Sequence, residues 1–118
     1  MKIFEKGLFF EKIADKILKQ KGLLIVGTRI KSKTGEIDIL AKNNDKTFYI
    51  VEVKHRKNID NAAYSISHTQ CKRSITTFFE FMNKNKLEYS NLYYITILFD
   101  NKKYKIINVD FSFFVDFV

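Results

Sequence analysis

Two β-rich runs, residues 36–41 (EIDILA) and 47–53 (TFYIVEV), flank a short polar turn, and their apolar side chains permit only one pairing. Strand side chains alternate, so Glu36, Asp38 and Leu40 share one face while Ile37, Ile39 and Ala41 share the other. In the second run Phe48, Ile50, Glu52 and the following Lys54 oppose Tyr49, Val51 and Val53. A three-residue loop at 44–46 sets Asp38 opposite Glu52, Glu36 opposite Lys54 and Leu40 opposite Ile50. It also leaves an apolar ladder of Ile37/Val53, Ile39/Val51 and Ala41/Tyr49. A two-residue loop slips the register by one and mixes acids with aliphatics, carrying the hydrophobic set to the wrong face. The pairing that buries the aliphatics therefore brings two acids together.

The rest of the chain supplies the frame. Phe10, Ile13, Ala14, Ile17 and Leu18 recur at helical spacing within residues 8–21, and Gly22 follows as a helix stop. Residues 23–30 read as a strand leading into the KSKTG turn, which makes a three-strand meander with the two runs above. Over residues 67–86, Cys71, Ile75, Phe78, Phe79 and Met82 form a second helical stripe with Ser67 as its cap. Residues 92–99 and 103–109 read as strands around a DNKK turn, and the apolar tail 111–118 is expected to pack back onto the core. The expected class is α/β, a mixed sheet flanked by helices in the order αβββαββ, because the second helix must carry the chain from the third strand to the fourth. With no repeat and no Pro/Gly/Ser linker, residues 1–118 are expected to form one domain.

Lone Cys71 cannot pair within the chain, so a disulfide scaffold and a cysteine zinc cluster are excluded. A reducing, cytoplasmic setting is the simpler expectation. Charges interrupt the N-terminal residues 1–20 every few positions, which argues against a signal peptide or a membrane span there. Lys and Arg number 21 against 13 acidic residues, a net charge of +8, which favours a polyanionic partner such as nucleic acid. An acidic protein or a membrane surface would satisfy the same charge.

Directly opposed strand residues have Cβ atoms roughly 4.5–5.5 Å apart, where like charges destabilise. Facing Asp38 and Glu52 suit a hard cation that takes oxygen ligands, Mg²⁺ or Mn²⁺, with the Val53 carbonyl as a further donor. Lys54, on the same face, has the charge to orient an attacking water or to neutralise a developing phosphorane. Glu11 lies at the edge of the first helix's apolar stripe and points toward the sheet margin as a fourth member. Arg29, Arg56, Gln70, Lys72 and Arg73 are candidates for holding phosphates. An ordinary solvent-facing strand also produces Glu-x-Lys, and Glu11 and Gln70 are common surface types; the facing acids are what a purely structural strand would not select. His55 and His68 lack ligand spacing and read as surface histidines, and the phenylalanines at 111–117 read as core or interface.

The run GEID at 35–38, followed after twelve residues by VEVKHR at 51–56, resembles the PD-(D/E)xK nuclease superfamily, and within it the small YraN-like family of endonucleases. The segment 7–40 is similar to that family's opening, with Glu11, Arg29, Gly35, Glu36, Asp38, Glu52, Lys54 and Arg56 at matching positions. The resemblance covers about residues 6–82. It implies a restriction-endonuclease-like fold, Asp38 and Glu52 as Mg²⁺ ligands, Lys54 as catalytic lysine and Glu11 as a further acid at the site. Three departures stand out. Ile37 replaces the superfamily's Pro, Gln70 stands where a Lys aligns, and Leu92, Tyr93 and Tyr94 occupy the place of Arg-Phe-Asp. The implied function is a Mg²⁺-dependent endonuclease acting on DNA, a branched or flapped form among the candidates. The alternative is a non-catalytic nucleic-acid-binding module that retains the nuclease fold.

Overall fold

The first helix forms because its apolar residues fall on one face and a glycine ends it. In a computed structural model, which describes residues 3–44, 46–60 and 66–111, α1 spans Ile3–Gln20. Gly22 closes it at φ +87°, its N–H donating to the Lys19 carbonyl while the Leu23 N–H donates to that of Leu18. This 6→1 and 5→2 pair is the Schellman arrangement, which only glycine adopts without steric cost. The strands β1 (Leu24–Lys31), β2 (Glu36–Lys42), β3 (Thr47–His55), β4 (Asn91–Phe99) and β5 (Tyr104–Asn108) lie in sequence order in one sheet. All neighbours are antiparallel except β3 and β4, which run parallel because α2 (His68–Lys84) returns the chain between them. The observed order αβββαββ is the expected restriction-endonuclease-like α/β arrangement.

Each sheet face has its own helix. Phe10, Ala14, Ile17 and Leu18 of α1 pack on Ile39, Ala41, Val51, Ile95, Ile97 and Phe99. Cys71, Ile75, Phe78 and Met82 of α2 pack on Leu40, Phe48, Ile50, Tyr94 and Ile37 from the other side. A side chain such as Leu18 or Phe78, fully buried, contributes about 1.5–3 kcal/mol by leaving water. Ser67 caps α2, its hydroxyl accepting the Gln70 N–H at 3.0 Å. Of the apolar tail, Phe111 packs against the second cluster, and residues 112–118 lie outside the described residues. No helix among the described residues is long and apolar enough to cross a membrane.

One expectation about register needs correction. The β2–β3 ladder follows the expected pairing through Lys42↔Phe48, Ala41↔Tyr49, Leu40↔Ile50 and Ile39↔Val51, then stops. Asp38/Glu52 and Glu36/Lys54 are not rungs, and Ile37 does not pair with Val53. Ile37 belongs to the α2 cluster, whereas Val53 packs against the α1 cluster. The cause is local. The Asp38 carboxylate accepts the Val53 N–H at 2.8 Å, taking the place of a backbone bond and parting the two strands. Arg29, between Thr28↔Ile39 and Ile30↔Ile37 in the β1–β2 register, has φ +51°, a left-handed conformation that non-glycine residues rarely adopt.

The β1–β2 turn is tied to α2 rather than left in solvent. Ser32 and Thr77 share a hydroxyl hydrogen bond of 2.9 Å, and the Ser74 hydroxyl donates to the Glu36 carbonyl at 3.1 Å. Gly35 lies so close to the helix that a Cβ there would sit 2.9 Å from Arg73 Cβ and 3.0 Å from its carbonyl oxygen. This contact fixes where β2 begins, and hence where Asp38 stands.

Candidate metal and nucleic-acid site

The parted strands leave a gap that Asp38 enters from β2 and Glu52 from β3. Asp38, Glu52, Glu36, Gln70, Ser74 and Tyr94 contribute to the lining of a small cavity of about 20 Å³ on the α2 side. That is room for one water-sized sphere. Asp38 also lines a wider cleft of about 290 Å³ on the α1 side, with Lys6, Phe10, Glu11, Val53, Lys54 and His55. The two acids thus share one site, though not as a ladder pair.

Glu52 is almost fully buried, and an isolated carboxylate there would be costly. Two donors converge on its Oε1: Lys54 Nζ at 3.0 Å and Gln70 Nε2 at 2.8 Å. Lys54 reaches it because residues two apart on a strand share a face. Gln70 reaches it from the first turn of α2, so its side chain addresses the acid directly. On the α1 side, Arg29 Nη2 donates to Glu11 Oε2 at 2.9 Å, an ion pair that turns Glu11 toward β1 and strengthens the guanidinium's hold on its proton.

Burial pushes the Asp38 carboxyl up to about 6 from its ordinary 3.8. The Val53 N–H opposes that rise, the charges of Glu11 and Glu52 add to it, and Lys54 opposes it again. Burial and the neighbouring Glu52 charge raise the Cys71 thiol to about 11, so it remains a protonated core residue at neutral pH. The remaining candidates lie further out. Arg56 is exposed just past β3, with Nη1 donating to the His55 carbonyl at 2.9 Å, and Lys72 and Arg73 are exposed on α2. None of the three lines either cavity.

The profile of Uncharacterised protein family UPF0102 matches residues 10–109. The chain belongs to this family. It is the YraN-like group that the GEID and VEVKHR runs resemble. A UPF0102 protein of Granulibacter bethesdensis is 44% identical over 69 residues, 58% of this chain and 43% of that one. One from Rhodopseudomonas palustris is 39% identical over 72 residues, 61% of this chain and 55% of the relative. One from Clostridioides difficile is 40% identical over 85 residues, 70% and 74% of the two chains. The matched part spans about half the length of the first two relatives.

In this UPF0102 chain, no three His, Cys, Asp or Glu side chains among the described residues converge into a metal-binding group. Glu11, expected as a further acid at the site, lines the cleft with Asp38 while its Oε2 accepts from Arg29. The residues still fit Mg²⁺, which takes one or two carboxylates and fills its other positions with water and phosphate oxygens. Asp38 and Glu52 would supply the carboxylates, beside a space of water size. Thr96 supports the fit: it pairs with Glu52 across β3 and β4, is fully buried, and its hydroxyl has no hydrogen-bond partner among the described residues. A buried polar atom in that condition calls for a water or an ion's hydration shell.

Two residues at this UPF0102 site escaped the sequence reading. His55 is no simple surface histidine: its ring stacks on Phe10 at 4.6 Å, Nε2 lies 3.0 Å from Asn101 Oδ1, and it lines the cleft beside Lys54. Its position directly after Lys54 was the available signal. Thr96 had none, because a threonine in an apolar strand is ordinary.

Proposed function

We propose that the protein is a divalent-metal-dependent phosphodiesterase that cuts DNA, with branched or flapped forms as candidate substrates. The carrying observation is the meeting of Asp38 and Glu52 in a water-sized cavity where β2 and β3 part, with Lys54 3.0 Å from Glu52. Asp38, Glu52 and the Val53 carbonyl would hold Mg²⁺ or Mn²⁺. The ion, when bound, supplies Lewis-acid polarisation of the phosphodiester and a water acidified toward neutral pH. Gln70 fixes the Glu52 carboxylate, and Arg29 keeps Glu11 at the cleft wall. Lys54 places an ammonium where charge develops on the phosphoryl oxygens. The charge of +8 favours the polyanion throughout, and we place the protein in the cytoplasm, where its single cysteine stays reduced.

Incubation with Mg²⁺ or Mn²⁺ and a panel of single-stranded, duplex, flapped and junction DNAs tests the reading. Cleavage is expected to fall by at least about 100-fold in Asp38→Asn and Glu52→Gln, the size of a lost electrostatic or metal contribution. No cleavage of any member, or cleavage that both variants retain, defeats the proposal.

A second reading, a binding module that holds nucleic acid without cutting it, is favoured by one observation. Glu52 already receives Lys54 and Gln70, and Glu11 already receives Arg29, so these acids have protein partners without a metal. Calorimetric titration with Mg²⁺ separates the readings, because only the enzyme requires uptake that Asp38→Asn abolishes.

A further inference from the structure

A groove of about 530 Å³ lies between α1 and β1, lined by Leu8, Glu11, Lys12, Asp15, Lys16, Lys19, Thr28 and Arg29. It meets the cleft of the acid site at Glu11, which lines both. Its charges are unevenly committed. Asp15 is held by Lys19 at 2.7 Å and Glu11 by Arg29 at 2.9 Å, which cancels both acids. Lys12 and Lys16 are exposed and make no ion pair among the described residues. They stand one helical turn apart, about 6 Å along the axis, on a single wall of the groove. The opposite wall is β1, the outermost strand, which has no neighbour on its outer edge among the described residues.

Resting on the phosphodiesterase reading, we infer that this groove carries one unpaired nucleic-acid strand to or from the acids, with successive phosphates on Lys12 and Lys16. The groove falls in the size range of sites for single small ligands, so it takes a short stretch of one strand and has no room for a duplex. Two cations spaced along a helix and aligned with a trough suit a flexible backbone, which adapts its phosphates to the protein. The substrate class follows: DNA or RNA with a free single-stranded arm, the arm lying along α1 while its junction meets Asp38 and Glu52.

The test measures anisotropy of a labelled single-stranded oligonucleotide and of a blunt duplex of the same sequence, in EDTA so that nothing is cut. It compares wild type, Lys12→Ala/Lys16→Ala, Lys12→Arg/Lys16→Arg, and a control, Lys31→Ala/Lys84→Ala, whose lysines line a separate groove beside α2. The alanine pair is expected to lose single-strand affinity on the order of tenfold. Its log–log salt dependence should fall by about 1.4, two contacts at about 0.7 each. The arginine pair and the control should bind as wild type. Single-strand binding unchanged in the alanine pair overturns the inference, as does an equal loss for the duplex. Calorimetry with Mg²⁺ and the cleavage panel separate the two failures. A wild type that takes up metal and cuts, but is indifferent to the lysine pair, defeats only the groove. One that neither takes up metal nor binds nucleic acid defeats the phosphodiesterase reading as well.

Discussion

Gly35 shows how much one missing side chain decides. With Arg73 Cβ and the Arg73 backbone 2.9–3.1 Å from where its Cβ would lie, the close approach of turn to helix leaves no room even for alanine. Gly35→Ala is expected to lower stability by about 1–3 kcal/mol, the range for overpacking, read as an earlier urea midpoint with unchanged slope. Asp38 carries a second consequence. Its folded-state pKa of about 6 lies above the ordinary 3.8, so the native state binds the proton more tightly than the unfolded chain. Its contribution is therefore full below about pH 4 and lost as pH rises through about 6. Metal-free Asp38→Asn should be more stable than wild type at pH 7 by up to about 3 kcal/mol, with the advantage gone near pH 4. Urea melts of both proteins across that range check it. The residue types and their spacing were legible: alternation and the GEID and VEVKHR runs single out Asp38, Glu52 and Lys54, although the register that set the two acids face to face ends short of them. The reason for Gly35 was not, because a close approach between a turn and a helix 38 positions away leaves no periodic trace.

At the level of elements, the strands and α2 fell within one or two residues of their expected limits, because β-rich runs and a helical stripe are patterns that burial itself imposes. The start of α1 lies five residues before the expected one, at Ile3, ahead of the apolar spacing at 10–18 that defines the rest of the helix. The end of the β2–β3 ladder was also invisible. Alternation predicts continued rungs, and only the bond from the Val53 N–H to Asp38 stops them. Ser67 is the element's clearest legible signal, a hydroxyl placed to receive an amide at the start of α2. Ser67→Ala is expected to cost about 1 kcal/mol. Because the Gln70 that reaches Glu52 sits in that same first turn, the variant should also weaken Mg²⁺ uptake in calorimetry.

Taken whole, the molecule places a site built from two strands between helices on opposite faces. Both helices contribute: Glu11 of α1 lines the cleft with Asp38, and Gln70 of α2 donates to Glu52. With a charge of +8 over 118 residues, DNA affinity should fall steeply with salt, linear in log–log form, in filter-binding or anisotropy titrations. Affinity indifferent to salt would contradict a phosphate-contacting surface. The parting of β2 and β3 has a practical bearing on how such a site is probed. There a carboxylate performs a main-chain duty, since Asp38 accepts an amide hydrogen that a neighbouring strand would otherwise take. Truncating it to alanine strips the Val53 amide of its acceptor as well as deleting a ligand, so lost turnover in an alanine scan would confound damaged architecture with missing chemistry. Asparagine, whose side-chain oxygen still accepts that proton, keeps the scaffold and removes the charge alone.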